Sequence, residues 1–184
     1  MNYRVRRSPD VSGRSSKFAA MTMQEATYSL LNQLRTIYTE GESSSITDWI
    51  MESLTGSKKA ERMLYKNADI SSEEQILLKQ FTKRLMQHEP IQYVLNESWF
   101  GGLKFYVDNN VLIPRTETEE LVEWIITDCR FGVSKLKILD IGSGSGCIPI
   151  SLQRKLRNAE VWSCDVSEEA LAVAKKIQRY LARM

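Results

Sequence analysis

Three glycines at alternate positions, Gly142, Gly144 and Gly146, follow directly on a short apolar stretch ending in an acid, and nothing else in the chain constrains its fold as strongly. Residues 136–141 are short, apolar and β-branched, the pattern of a strand buried on both faces of a parallel sheet. The glycines then let the backbone turn sharply and approach a ligand with no Cβ in the way. A second apolar run, 159–164, leads into Asp165. That acid lies about 20 residues beyond Gly146, the offset at which a second-strand carboxylate meets ribose hydroxyls in nucleotide-binding βαβ units. Together these features describe a pocket for an adenosine-containing cofactor.

Glycine spacing discriminates between such cofactors. Dinucleotide binders use G-x-G-x-x-G, whose last glycine permits close helix packing while the helix N-terminus receives a pyrophosphate. Here Cys147 stands where that glycine would be. The pattern G-x-G-x-G after Asp140 suits an uncharged adenosyl group better, which disfavours an NAD-dependent oxidoreductase. Glycine-rich turns also serve as ordinary connections, but an acid on either side, Asp140 and Asp165, favours a binding loop.

With 184 residues, 42% of them hydrophobic, the chain has room for one or two domains and a real core, and it reads as soluble and globular. No apolar run approaches the roughly 20 residues of a membrane span, and no secretory signal is evident. Cys129, Cys147 and Cys164 fit neither a disulfide framework nor a zinc site. They read as small buried side chains in a reducing cytoplasm. The net positive charge sits in residues 1–20, where Arg4, Arg6, Arg7, Arg14 and Lys17 oppose only Asp10. That segment reads as a disordered basic arm. Its composition also suits a transit peptide, or an extension upstream of a start at Met21 or Met23. The remainder is close to neutral, so no direct nucleic-acid contact is expected.

After the arm, residues 21–95 carry helical periodicity with start signals. Thr22 with Glu25, Ser45 with Asp48 and Ser71 with Glu74 each pair a hydroxyl with an acid three positions on. The expected inward stripes are Leu30, Leu34 and Ile37; Ile46, Trp49 and Ile50, stopping near Gly56; Ala60, Met63 and Leu64; and Leu77, Phe81 and Leu85, ending before Pro90. This is a small helical bundle. His88, the only histidine, reads as a solvated helix end, so chemistry built on a histidine base or a His metal cluster has no support. Residues 99–107 suggest a hairpin around Gly101 and Gly102. A further helix capped by Thr116 and Glu119 should turn Leu121, Val122 and Ile125 inward, and a last helix starting at Ser167 should do so with Leu171, Ala174, Ile177 and Leu181.

Read as one string, His88-Glu-Pro-Ile-Gln-Tyr-Val-Leu, Val111-Leu-Ile-Pro-Arg-Thr-Glu-Thr-Glu-Glu-Leu-Val, Asp140-Ile-Gly-Ser-Gly-Ser-Gly-Cys-Ile and Asp165-Val-Ser-Glu-Glu-Ala-Leu resemble the HemK/PrmC family. The stretch around Ile113-Pro-Arg-Thr-Glu is the specific part, and the match runs over roughly 21–184. The resemblance implies an α/β protein with three parts: an N-terminal helical bundle, a β-hairpin linker, and the first βαβ part of a Rossmann-like class I methyltransferase domain. Residues 21–95 would recognise the protein substrate, and 96–184 would hold the hairpin and an incomplete S-adenosylmethionine-binding domain. The implied reaction is methylation, from S-adenosylmethionine, of the glutamine amide in the Gly-Gly-Gln motif of class I peptide chain release factors. By position, Gly142, Ser143, Gly144, Ser145 and Gly146 would wrap the methionine part and Asp165 would accept from the ribose, with Arg115 and Glu117 bracing the entrance.

Two departures stand out. Pro149 replaces a small residue, in a first helical turn where a missing N–H costs little. The family's Asn-Pro-Pro-Tyr motif, whose Asn side chain and Pro carbonyl would orient the substrate amide, has no counterpart among Pro9, Pro90, Pro114 and Pro149. No catalytic residue and no metal ligand is assigned, and these 184 residues alone are expected to be inactive, with apolar surface exposed on the second strand and last helix. Competing readings are a nucleic-acid adenine methyltransferase and a non-catalytic binding module.

Overall fold

The computed structural model describes residues 20–129 and 136–181, which leaves all of the predicted basic arm except Ala20 outside the described residues. The chain divides into two compact units, Met1–Leu95 and Asn96–Met184.

The first unit is helical: α1 (Met23–Leu34), α2 (Glu40–Thr55), α3 (Lys59–Leu64), α4 (Ser72–Leu85) and α5 (Ile91–Leu95). Capping boxes form at Thr22 with Glu25 and at Ser71 with Glu74, as the spacing predicts. The start of α2 differs. Its box is Thr39 with Glu42, while Ser45 lies inside the helix and donates its hydroxyl to the Gly41 carbonyl at 2.9 Å. Gly41 lies in the first turn of α2, where two acids and a reciprocal cap outweigh the propensity cost of a glycine. Asp48 has a tertiary task instead: it accepts from Lys59 Nζ (2.6 Å) and Arg62 Nη2 (2.8 Å), tying α3 to α2. Gly56 ends α2 at φ 68°, in the left-handed region a glycine enters freely.

The core gathers Met23, Ala26, Leu30 and Leu34 of α1, Ile50, Met51 and Leu54 of α2, Leu78 and Leu85 of α4, with Ile70 and Val94. Each fully buried leucine, isoleucine or methionine among them contributes ~1.5–3 kcal/mol. Several stripes are rotated from expectation. Ile37 lies past the end of α1; Ile46, Trp49, Leu77 and Phe81 are half-buried. The largest correction is α3, where Met63 and Leu64 are 68% and 81% exposed while Arg62 is buried. A guanidinium that donates to Asp48 and to the Ser57 carbonyl (2.7 Å) is satisfied inside, and a helix of this length cannot turn both faces inward. The short helix α5, unpredicted, starts on the Pro90 carbonyl, which accepts from Tyr93 and Val94 N–H.

The second unit runs β1 (Ser98–Phe100), β2 (Leu103–Phe105), α6 (Thr116–Cys129), β3 (Leu136–Ile141), α7 (Cys147–Lys155), β4 (Ala159–Cys164) and α8 (Glu168–Leu181). β1 and β2 pair antiparallel through Gly101 and Gly102, both at positive φ as a tight two-residue turn requires. Phe100 and Phe105 meet edge to face, fully buried. Thr116 is already the first residue of α6, and the Arg115 carbonyl receives the Thr118 and Glu119 amides. Val122 and Ile126 are the buried pair of α6, whereas Leu121 is exposed. α8 buries Ala170, Val173 and Ile177; Leu171 and Ala174 are half-buried, and the Leu181 side chain lies outside the described residues.

β3 and β4 run parallel with Leu139 opposite Trp162 and Ile141 opposite Cys164. Burial alternates along β3 instead of covering both faces: Leu139, Ile141 and Trp162 are 62%, 76% and 60% exposed. A parallel sheet needs helices on both faces, and the described residues cover one. Among them no helix is long and apolar enough to cross a membrane.

Candidate functional site

The parallel register sets Ile141 beside Cys164, so the turn leaving β3 and the turn leaving β4 emerge at the same edge of the sheet. Gly142, Gly144 and Gly146 all take left-handed φ, at 78°, 51° and 76°. The Cys164 carbonyl accepts from the Gly142 and Ser143 amides at 2.8 and 3.1 Å, and Gly146 N–H donates to the Ser143 carbonyl at 2.8 Å. These bonds curl 142–146 over the strand ends and deliver Gly146 to the start of α7, where Pro149 occupies the first turn at no hydrogen-bond cost.

The three glycines differ in what surrounds them. A Cβ at Gly142 or Gly144 would meet nothing within 4 Å, so these two leave open space beside exposed backbone. A Cβ at Gly146 would lie 3.0 Å from Ala174 Cβ and 3.2 Å from Ile150 Cδ1, so close packing of α7 on α8 rests on the last glycine of G-x-G-x-G itself. Glycine spacing alone would put that packing role one position later, at Cys147.

Two carboxylates flank the loop. Asp165 accepts from Gly144 N–H through Oδ2 (2.7 Å) and from Ser167 N–H through Oδ1 (3.0 Å). The Ser167 amide first, then that of Gly144, holds this carboxyl below its ordinary value, so it is an anion at neutral pH with lone pairs left for hydroxyl donors. Asp140 is pushed up, by burial first and then by the charge of Asp165. Its Oδ2 is buried without a hydrogen-bond partner, as is the Ser143 hydroxyl. A buried carboxylate oxygen left unpaired is costly, and a cationic or N–H donor arriving there would relieve it. Burial also pushes the Cys147 thiol up, which makes it an inert packing residue.

The residues named from sequence thus fall as follows. Gly142, Ser143, Gly144, Ser145, Gly146 and Asp165 come together at one strand edge, with Ser143 and Ser145 buried. Arg115 and Glu117 are exposed, and among the described residues neither side chain joins the loop by a hydrogen bond or ion pair. Asp140 was left outside the binding residues named from sequence, although its place at the strand end, directly before the loop, was a visible signal. Among the described residues no group of three or more His, Cys, Asp and Glu side chains is arranged to hold a metal.

Residues 25–95 match the family described as the PrmC N-terminal domain. A release factor glutamine methyltransferase of Flavobacterium psychrophilum is 44% identical over 145 residues, covering 78% of this chain and 51% of that protein. One from Lactococcus lactis subsp. lactis is 40% identical over 144 residues, 78% of this chain and 53% of its own length. Another, from Bacteroides thetaiotaomicron, is 38% identical over 154 residues, 84% and 54%. The chain spans about half the length of the curated relatives it matches.

Proposed function

Because the chain carries the PrmC N-terminal domain and is related to release factor glutamine methyltransferases over most of its length, we propose that it supplies the recognition domain and the cofactor half of such an enzyme. The reaction is transfer of a methyl group from S-adenosylmethionine to the glutamine side-chain amide in the Gly-Gly-Gln motif of class I peptide chain release factors, in the cytoplasm. Residues 96–184 are the opening of a Rossmann-like class I methyltransferase domain, and 21–95 recognise the release factor.

The observation that carries this reading is the loop of left-handed glycines set between two carboxylates, one with a buried oxygen lacking a partner. The bound cofactor supplies an electrophilic methyl group on a sulfonium. The chain's own residues do the binding: the backbone of 142–146 wraps the methionine part, Asp140 receives the ammonium, and Asp165 accepts from the ribose hydroxyls. Val166 offers an uncovered apolar surface to a purine face. A cationic methionine group answers the unpaired Asp140 oxygen, and open space at Gly142 and Gly144 leaves room for it; a pyrophosphate would meet Asp140 and Asp165 as like charges.

A carboxamide nitrogen is a weak nucleophile because its lone pair is delocalised into the carbonyl. The enzyme's task is to hold it in line with the methyl group. The HemK/PrmC resemblance assigns that task to Asn-Pro-Pro-Tyr, a string not found in these 184 residues, so no residue named here is catalytic. The test joins residues 1–184 to the C-terminal half of the Flavobacterium psychrophilum relative and follows labelled methyl from S-adenosylmethionine into a release factor. Label on the Gly-Gly-Gln glutamine with the fusion, and none with 1–184 alone, is the predicted result. Label on nucleic acid, or equal turnover without the added half, refutes the reading.

A further inference from the structure

Gly144 is the least supported point of the glycine loop. Gly142 and Ser143 are fixed by the Cys164 carbonyl, and Gly146 by the Ser143 carbonyl and by Ala174. Gly144 has φ 51°, no atom within 4 Å of where a Cβ would be, and an N–H that points to the Asp165 carboxylate at 2.7 Å. Glycine loses more backbone freedom on ordering than any other residue, so holding it in one left-handed conformation without packing requires a strong partner. A charge-assisted hydrogen bond to a carboxylate is such a partner. The carboxylate is itself anchored, because its other oxygen receives Ser167 N–H, and the Ser167 hydroxyl caps α8 by accepting from Ala170 N–H at 3.0 Å. A continuous line of bonds thus runs from the capped start of α8 through Asp165 to the middle of the loop.

We propose that Asp165 is a positioning residue as well as a ribose acceptor: it holds the loop in its binding shape before any ligand arrives. The ribose role rests on the function proposed above; the positioning role does not. The Gly144 amide binds Oδ2 and the Ser167 amide binds Oδ1, and a carboxylate offers about four lone-pair sites, so a hydroxyl donor adds to the loop bonds without displacing them. Loop formation and ribose recognition are then coupled through a single side chain.

The test reads hydrogen exchange of backbone amides by NMR in the ligand-free chain. Gly144 N–H should be protected in the wild type and exchange about tenfold faster or more in Asp165→Ala. The amides of Leu152 and Ile177, in buried helical positions, should keep their rates and so report that the fold is intact. In Asp165→Asn the side chain retains one accepting oxygen for two amides, and an intermediate rate is expected. Unchanged Gly144 exchange in Asp165→Ala overturns the proposal. A second measurement separates the two roles by titrating S-adenosylmethionine and its 2′,3′-dideoxyribose analogue. If Asp165 also forms the loop, Asp165→Ala weakens binding of the analogue by about threefold or more; an analogue that binds both proteins equally reduces Asp165 to a ribose contact. Failure of both proteins to bind either compound would refute the cofactor reading while leaving the exchange result to stand by itself.

Discussion

Replacing Gly146 by alanine should be far more damaging than the same change at Gly144, although the two glycines look alike in sequence. Both sit at positive φ, where an L side chain costs about 1–2 kcal/mol. At Gly144 that is the whole penalty to folding, because the added methyl enters open space. At Gly146 it would stand 3.0 Å from Ala174 Cβ and 3.2 Å from Ile150 Cδ1, so overpacking adds about 1–3 kcal/mol and the total reaches about 2–5 kcal/mol. With a urea dependence of about 2 kcal/mol per molar, the midpoint should fall by about 1 M or more. Three of the four tryptophans, Trp99, Trp124 and Trp162, lie in the second unit, so fluorescence in a Trp49→Phe background follows that unit. Ala174→Gly alone should cost about 1 kcal/mol as a helix-interior glycine. Combined with Gly146→Ala it removes the clash, giving a coupling of about 1–2 kcal/mol in the double-mutant cycle. Equal losses at Gly144 and Gly146, or strict additivity with Ala174→Gly, would refute the packing argument.

Other consequences are equally open to measurement. If Asp140 receives an ammonium, its raised pKa must fall on binding, so S-adenosylmethionine affinity should weaken as pH drops through the carboxyl's raised value and binding there should release a proton. Calorimetry in two buffers of different ionisation enthalpy checks this, and a heat independent of buffer contradicts it. Arg84 holds Glu89 in a paired salt bridge and donates to the Tyr93 and Val94 carbonyls, both at 3.0 Å. Arg84→Met should therefore destabilise the helical unit by about 2–3 kcal/mol, read by a urea melt with Trp49 as probe. The carboxyls of Glu25 and Glu42, lowered by their capping hydrogen bonds, and of Glu89, lowered by Arg84, add stability above the ordinary glutamate pKa. That stability is lost as pH falls through their lowered values, so the helical unit's urea midpoint should decline on acidification; a flat or rising midpoint would oppose this.

Local chemistry was the legible part of this sequence. Thr22 with Glu25, Ser71 with Glu74, Gly56 and the Gly101-Gly102 turn state their structure within a few residues, and the structure adopts each. The βαβ order was readable because β3 and β4 are short apolar runs separated by a glycine turn and one helix. What escaped was settled by partners distant in sequence. Asp48 looked like a capping acid, but Arg62, on the next helix, claims it; that same ion pair puts Arg62 inside and leaves Met63 and Leu64 out. Burial on α2 and α4 is shifted around the helix, with Thr47 and Gln75, polar in sequence, among the buried positions. At the site, the glycines and Asp165 were visible as a pattern. The unpaired oxygen of Asp140 and the contact of Gly146 with Ala174 exist only once the loop is folded back over the strand ends.

The central claim is that this loop and its two carboxylates select an adenosyl sulfonium donor over a dinucleotide. Isothermal titration of the 184-residue chain with S-adenosylmethionine and with NAD tests it most directly. Saturable binding of S-adenosylmethionine, weakened about tenfold or more by Asp165→Ala, with no detectable heat from NAD, is the predicted result. Tighter binding of NAD, or S-adenosylmethionine binding indifferent to Asp165, would contradict the account.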